Sequence, residues 1–594
     1  MQDPIIFLTI LGKMAQKPLV KFDKLFQKMF NERLWLMAYQ NIAAKPGNMT
    51  AGTDGKTIDG FGMKTIRQLI TELKGSKYIP NPVRRTFIPK TSGGTRPLGI
   101  PCFRDKLTQE VVKLILEAIY EPTFSHTSHG FRPNRSCHTA LTEVKKMTGT
   151  RWWVEGDIRS FFDDIDHKIL VGILAERITD KRFLHLISQF LEAGYVYENT
   201  RIATFSGTPQ GGIVSPILAN IYLDKLDREM EQVRTQFNRG KRRKIPREYR
   251  STRHYKAKAR RYAQETGDWE PFRELEKKQL HLPAGDPMDA EFKRLSYIRY
   301  ADDFIISIIG SKADAEMIAS NLRDFLATRL KLTLSKEKTL ITHATAKARF
   351  LGYDITRWRR TKIIRTQGSQ HRSTSYRLAL QIPESKLVAY CLKYGDTVKW
   401  DGTHRRNLIN LSELEILMTF NSELRGFANF YQLADNYHIQ IRKLFWIAQT
   451  SFFRTLAAKR KSTLSKVARS MKIAPGNFQL KVKLANGETR RYRLATSTRI
   501  LPRAKITFRD DRIPNVMKYR GITELGQRLA AQRCEWCDSV QPPFEVHHVR
   551  RLKDLKGKAP WEKNMIARRR KTMVLCKPCH RALHMGTLPP KTAA

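Results

Sequence analysis

Apolar positions recur near a period of 3.6 over residues 20–45 (Leu25, Met29, Leu34, Met37, Ala38), which predicts an opening helical arm. A turn-rich break at Thr53-Asp-Gly-Lys-Thr57 follows, then a short strand from Val83 to Ile88 that runs into a basic loop ending near Ile100. Residues 105–120 put Leu107, Val111, Leu114, Ile115 and Ile119 on one stripe, as a helix backing a sheet does. Strands and helices then alternate. A strand is expected from Trp152 to Ile158, a helix from Asp166 to Ile178 with Asp166 as its cap, and a helix from Ser215 to Met230 with Ser215 as cap and Pro216 first. A polar stretch over residues 228–295, crowded with Lys and Arg, interrupts before an apolar strand pair resumes from Tyr297 to Ile309. An α+β core with a surface insertion is the result. Beyond the basic linker 357–360, the capping box Ser412-x-x-Glu415 opens a helical region carrying Leu417, Met418, Leu424 and Phe427. Near Phe478 the period falls to two, with Leu480, Val482 and Leu484 against Lys481 and Lys483 and a hairpin turn at Asn486-Gly487.

Length and charge change this picture in one respect. The chain has 594 residues, room for about four domains. Its 108 Lys and Arg against 56 Asp and Glu leave a net charge of +52, while 41% hydrophobic residues exclude general disorder. Such an excess repels itself in a compact fold unless a polyanion neutralises it, and nucleic acid is the commonest such partner. Seven cysteines are too few for a disulfide framework and point to a reducing compartment. No apolar run is long enough for a membrane span, and none reads as a signal peptide.

The candidate chemistry begins with carboxylates. Asp157 ends an apolar strand, and Tyr300-Ala-Asp302-Asp303 lies in the middle of another apolar stretch, where a turn would expose both acids. Three acids on adjacent strand ends can hold two divalent ions, the arrangement that phosphoryl transfer to a 3′-hydroxyl requires, with the ions ~4 Å apart. Taken alone, an Asp-Asp pair is more often a solvated turn. Here apolar strand surrounds it, and a glycine-bearing segment, Thr208-Pro-Gln210-Gly211-Gly212, precedes a helix, where glycine permits close backbone approach to a nucleotide or template.

Together with Asp157-Ile-Arg-Ser-Phe161-Phe162, Ser206-Gly-Thr-Pro-Gln210 and Arg349-Phe-Leu-Gly-Tyr353, these segments resemble successive reverse transcriptase motifs in order and spacing. Ile-Pro89-Lys90, Arg96-Pro97-Leu98 and Ser128-His-Gly-Phe131-Arg132-Pro133 resemble, more narrowly, the reverse transcriptases encoded within group II introns. The resemblance implies a right-hand polymerase with Asp157, Asp302 and Asp303 as catalytic Mg²⁺ ligands and Phe162 as the ring that rejects a 2′-hydroxyl. It also implies that Lys90, Arg96, Ile158, Gln210, Gly211 and Lys338 meet the incoming dNTP; Lys336 lies two residues from Lys338. Leu424-Arg-Gly426-Phe-Ala-Asn429-Phe430-Tyr431 and Thr455-Leu-Ala-Ala-Lys459 resemble the thumb, or maturase, region with which that family grips intron RNA. Asn429-Phe430-Tyr431 departs mildly from the family's Asn-Tyr-Tyr.

Cys534-x2-Cys537 and Cys576-x2-Cys579 have the spacing to close one structural zinc site. Within that frame lie His547-His548 and His580-x3-His584, the latter spaced to share a helical face and hold a second metal. The set resembles the HNH endonuclease fused to group II intron proteins. That resemblance implies His548 as general base and His547, His580 and His584 as ligands of a divalent ion, Mg²⁺, at the scissile phosphate. The motif's asparagine is matched by Asn564 in character and by Thr572 in position. The expected organisation is an N-terminal helical extension over 1–75, fingers and palm over 76–360, thumb or maturase over 361–465, a DNA-binding region over 466–528, and a zinc-braced ββα-metal nuclease over 529–594. The implied function is RNA-directed DNA synthesis, splicing assistance and DNA nicking in intron mobility. Its partners are intron RNA, target DNA and dNTPs, with no membrane, in a bacterial cytoplasm as a nucleoid-associated ribonucleoprotein. Two other readings are a non-catalytic splicing chaperone on a polymerase scaffold and an RNA-dependent RNA polymerase. The intact acids argue against the first; the second would require neither Phe162 nor the nuclease tail.

Overall fold

The structure, a computed structural model, describes residues 3–43, 45, 47–89, 93–198, 200–202, 207, 211–286, 288–335, 337–357, 360–366, 369–375, 377–483, 488–497 and 524–591. Lys90, Gln210, Lys336, Leu484 and the expected turn Asn486-Gly487 lie outside these residues, as does most of the stretch between 498 and 528.

The fold is α+β. Its organising element is a four-stranded antiparallel sheet in the order Arg294–Tyr300, Asp303–Ile309, Trp152–Asp157, Leu340–His343. The strands are apolar on both faces because each face has its own core. Val154, Phe304, Ile306 and Ile308 pack into one core with the helices Phe103–Tyr120, Ser215–Phe237 and Lys312–Arg329. The alternate residues Trp153, Ile298 and Ile305 enter a second core shared with Cys137–Lys146 and with the helices Glu413–Phe430 and Tyr437–Lys459. Period-two alternation thus ties both halves of the chain to one sheet.

A second four-stranded sheet, Thr95–Ile100, Val83–Pro89, Tyr195–Tyr197, Thr200–Ile202, carries the basic loop. The insertion forms two exposed helices, Arg247–Thr266 and Glu270–His281, joined by the ion pair Lys256–Glu276 at 2.9 Å. The capping box at Ser412 is formed: its Oγ accepts from the Glu415 amide at 3.3 Å, and its own amide donates to Glu415 Oε2 at 3.0 Å. Near the C-terminus the hairpin Phe544–His548/Thr572–Cys576 and the helix Lys577–His584 follow one another as a compact unit. Among the described residues no helix is long and apolar enough to cross a membrane.

Three local expectations change. The arm at residues 20–45 is two helices, Leu25–Lys28 and Glu32–Ala43, because Asn31 Oδ1 accepts from the Arg33 amide at 3.1 Å and restarts the chain as a new cap. The helix expected to be capped by Ser215 begins at Ser215 itself, with Val214 in the cap position and Ser215 buried. The region after 360 is not helical from its start. A strand, Leu378–Gln381, pairs with Tyr353–Arg357, since Leu378, Ala379 and Leu380 are all buried and need cover on both faces.

Candidate active sites

The sheet register places Asp157 directly opposite Asp303 across neighbouring strands, with Asp302 in the turn just before Asp303. Burial raises the pKa of Asp302, and burial followed by the nearby Asp157 and Asp302 raises Asp303 far above the usual carboxylate range. Carboxyl groups crowded in this way and withdrawn from water take up either a proton or a cation, and a divalent ion would satisfy them. Part of the compensation comes from the chain. Lys338 Nζ donates to Asp157 Oδ2 at 2.8 Å, and the charges of Lys338 and Arg96 both favour the Asp302 anion.

What holds the acidic turn was not visible as a motif. Arg299 is fully buried and forms a two-pronged ion pair with Asp227, Nη2 to Oδ2 at 2.6 Å and Nε to Oδ1 at 2.8 Å. Its Nη1 donates to the Ala301 carbonyl at 2.9 Å, directly bracing a residue held at φ 57. Such a left-handed alanine costs about 1 kcal/mol and needs support of this kind. The Ser128–Arg132 segment lies against the same strand: the His129 amide donates to the Arg299 carbonyl at 2.9 Å, and Asn220 Nδ2 donates to Gly130 O at 2.9 Å. A Cβ on Gly130 would sit 2.2 Å from the Ala301 amide, so only glycine allows this approach.

The remaining expected nucleotide contacts are unevenly placed. Phe162 is half-buried, its ring 6.1 Å from Phe131 in an edge-to-face pair, while the adjacent Phe161 is core. Gly211 is exposed at φ 115, and a Cβ there would meet the Gly99 carbonyl at 2.4 Å, so it packs on the strand that carries Arg96. Ile158 is 1% exposed and bridges Leu334, so the residue as a whole is core rather than open to a ligand. Lys90 and Gln210 are outside the described residues. The turn at Arg349–Tyr353 meets the helix end at Asn429–Tyr431: Tyr431 Oη donates to Gly352 O at 3.2 Å, and Tyr353 Oη donates to Phe430 O.

The four cysteines Cys534, Cys537, Cys576 and Cys579 bring their sulfurs within 4.8 Å of one another, the arrangement a tetrahedral zinc site needs. His547, His580 and His584 also come together, but with a fourth donor that sequence spacing gave no sign of, Asp59. His584 Nε2 lies 2.8 Å and His580 Nε2 3.4 Å from Asp59 Oδ2, and His547 Nδ1 is 3.3 Å from Oδ1. Both His547 ring nitrogens are buried without a hydrogen bond, as unfilled ligand atoms are. Glu545 Oε2 lies 2.7 Å from His580 Nδ1, turning Nε2 toward the cluster in the manner of a carboxylate that orients a ligating imidazole. His548 stands apart, 3% exposed, its Nε2 bonded to the Tyr39 hydroxyl at 2.7 Å. Burial lowers its pKa to about 4, so the ring is neutral near pH 7. Thr572 faces His548 across the hairpin, whereas Asn564 lies on the separate helix Pro560–Ala567.

Acids paired across strand ends and a cysteine-framed histidine hairpin define a nucleic-acid polymerase that carries a nuclease module. Comparison with known proteins agrees on each part. The model of reverse transcriptase (RNA-dependent DNA polymerase) matches residues 88–244, that of type II intron maturase 375–502, and that of AI2M/AI1M-like HNH endonuclease 534–580. The first match includes Asp157 and stops before Asp302; it is the sheet that joins them. Group II intron-encoded protein LtrA of Lactococcus lactis subsp. cremoris is 40% identical over 596 residues, covering 98% of this chain and 99% of that protein. A 91 kDa protein in the cob intron of Schizosaccharomyces pombe is 34% identical over 94% of this chain and 69% of its own length. Protein YkfC of Escherichia coli is 33% identical over 58% of the chain and 86% of its own length. The chain belongs to the group II intron-encoded protein family. It is a multifunctional protein with reverse transcriptase, maturase and HNH endonuclease parts, and a purely non-catalytic chaperone is not favoured.

Proposed function

We propose that Asp157, Asp302 and Asp303 form the metal-binding centre of a right-hand polymerase, with fingers and palm over 76–360 and a thumb over 361–465. The observation that carries this reading is the cross-strand pairing of Asp157 with Asp303 beside Asp302. Magnesium, when bound, would supply Lewis-acid activation of the primer hydroxyl and neutralise the leaving pyrophosphate. The chain's own residues do the rest. The Arg299–Asp227 pair fixes the acidic turn, Arg96 and Lys338 offset phosphate charge, and Gly211 lets the backbone approach base or template. Phe162 fills the space a 2′-hydroxyl would need, so discrimination between dNTP and rNTP is steric. A net charge of +52 on one chain favours a polyanionic partner such as intron RNA, gripped along 361–465.

At the other end, over 529–594, Cys534, Cys537, Cys576 and Cys579 brace a ββα-metal nuclease with zinc. His547, His580 and His584 would hold a divalent ion, which would supply charge for the scissile phosphate, and neutral His548 is the residue to take the proton of the attacking water. In mobility, the ribonucleoprotein inserts intron RNA into one DNA strand, the nuclease nicks the other, and the region over 466–528 holds target DNA while the new 3′ end primes copying. Primer extension on an RNA template tests the polymerase centre. Asp302→Ala should lower dNTP incorporation by a factor of about 1,000 or more while intron RNA binding stays within about twofold, because the change removes one metal ligand and leaves the basic residues of the thumb in place. Incorporation at the native rate by the folded variant would remove Asp302 from the metal centre.

A further inference from the structure

The nuclease hairpin is docked, and what it is docked on reaches into its site. Phe61 and Val546 form an antiparallel bridge, with the Gly60 amide donating to Val546 O at 3.1 Å and the Val546 amide to Phe61 O at 2.8 Å. A Cβ on Gly62 would lie 2.2 Å from Phe544 O, so the two backbones are in contact along this edge. Tyr39 stacks on Phe61 with ring centroids 4.0 Å apart, which makes residues 39 and 59–62 one packed unit. From that unit two side chains enter the nuclease. Asp59 lies among His547, His580 and His584, and its Oδ1 also accepts from the His548 amide at 2.6 Å. Tyr39 takes the His548 ring nitrogen at 2.7 Å.

Each contact occupies a position that cleavage requires. A catalytic metal site must keep a coordination position for substrate. Beside the three histidines Asp59 brings an anionic oxygen, which is also what a scissile phosphate presents, and so competes with it for the ion. A general base must hydrogen-bond the water it activates, within about 3 Å, and the Tyr39 hydroxyl stands where that water would. His547, His548 and His580 are 4%, 3% and 6% exposed, so the cluster opens to solvent through His584, whose side chain is 53% exposed, and the position that Asp59 takes lies behind it.

We infer that the segment bearing Tyr39 and Asp59 is an intramolecular latch on the nuclease: Asp59 takes the place of the scissile phosphate and Tyr39 that of the attacking water. The inference rests on the HNH roles proposed above. Nicking then requires the hairpin to leave the Phe61 edge, and DNA competes for the same metal position through its phosphate. The latch lies in the N-terminal region, on the core that also supports the polymerase sheet, so opening of the nuclease is tied to the polymerase body.

The test uses the full-length protein with its intron RNA and a duplex DNA target. Second-strand nicking is followed for wild type, Asp59→Asn, Tyr39→Phe and His548→Ala; retained primer extension marks the polymerase body of each variant as folded, and one retained zinc per chain marks its nuclease hairpin as folded. Hydrogen exchange at the Gly60 and Val546 amides is read in parallel on protein that keeps its zinc, with no magnesium added. The latch predicts that Asp59→Asn and Tyr39→Phe each nick several-fold faster than wild type, and that both amides exchange faster in Asp59→Asn. If Asp59→Asn nicks at the wild-type rate or slower, Asp59 is a bystander or a working ligand and the latch is wrong. If His548→Ala nicks like wild type, the HNH assignment falls and takes the latch with it, an outcome the first two variants cannot mimic.

Discussion

The two sites are assembled in opposite ways. The polymerase acids come from one sheet, Asp157 and Asp303 at strand ends and Asp302 in the turn before Asp303, and their support (Arg299, Asp227, Asn220) comes from the sheet and the helix directly beneath it. The nuclease histidines are set by a hairpin and one short helix, yet the cluster is completed by Asp59, from the far end of the chain. The first site leaves negative charge in excess, tempered by Lys338 and Arg96. The second carries its own anion. On the roles proposed above, a site that must admit a triphosphate with its metal ions is left electrically unfinished, while one that could damage DNA is neutralised from within.

The contrast predicts that the sites can be lost separately, and the cysteine cluster gives the largest effect. Cys576 is buried on the hairpin strand, so Cys576→Ser, or chelation of the native protein, should remove a metal whose binding free energy is of order 10 kcal/mol and unfold the hairpin. Second-strand nicking should disappear while primer extension survives, as both assays on one preparation would tell. Loss of both activities would mean that the hairpin supports the polymerase sheet through their common core and that the comparison is false.

A smaller effect separates shape from charge within the polymerase site. Phe162→Val shortens a half-buried ring without altering any acid, so rNTP incorporation relative to dNTP should rise about 100-fold with dNTP turnover little changed. Measured kcat/KM ratios for matched nucleotides decide this. An unchanged ratio would move the steric boundary elsewhere, with Phe131 as the neighbouring ring to examine.

How much of this was legible in the sequence follows from the range of each interaction. Asp157, Asp302 and Asp303 each sit in a short run whose period and polarity announce a strand end, and one register brings them together. The cysteines and histidines carry their spacing with them. Arg299 is one residue before Tyr300 in the acid motif, but nothing local says that it is buried or that its partner is Asp227. Tyr39 and Asp59 lie in an unremarkable helix and a turn, and their role exists only through tertiary docking against residues 546–548. The cap near Ser215 shifts by one residue for a similar reason, since Ser215 is buried as the first residue of the helix and Val214 takes the cap position.

The finest probe of the contrast is pH, because the brace of the acidic turn contains a histidine that the nuclease cluster does not share. His129 is 3% exposed with Nδ1 2.9 Å from Thr139 Oγ1; burial first, and then the charges of Arg135 and Arg132, lower its pKa to about 3. In the unfolded chain it would titrate near 6.5. Below that value the unfolded state binds a proton that the folded state refuses, so this contribution is complete above pH 6.5 and is lost as pH falls toward 3. At pH 5 the loss amounts to about 2 kcal/mol. Urea midpoints for wild type and His129→Asn, compared at pH 7.5 and pH 5, should therefore converge on acidification, the wild type falling more. Parallel curves would show that the His129 ring accepts its proton without disturbing the turn, and that the acids are held by Arg299 and Gly130 alone.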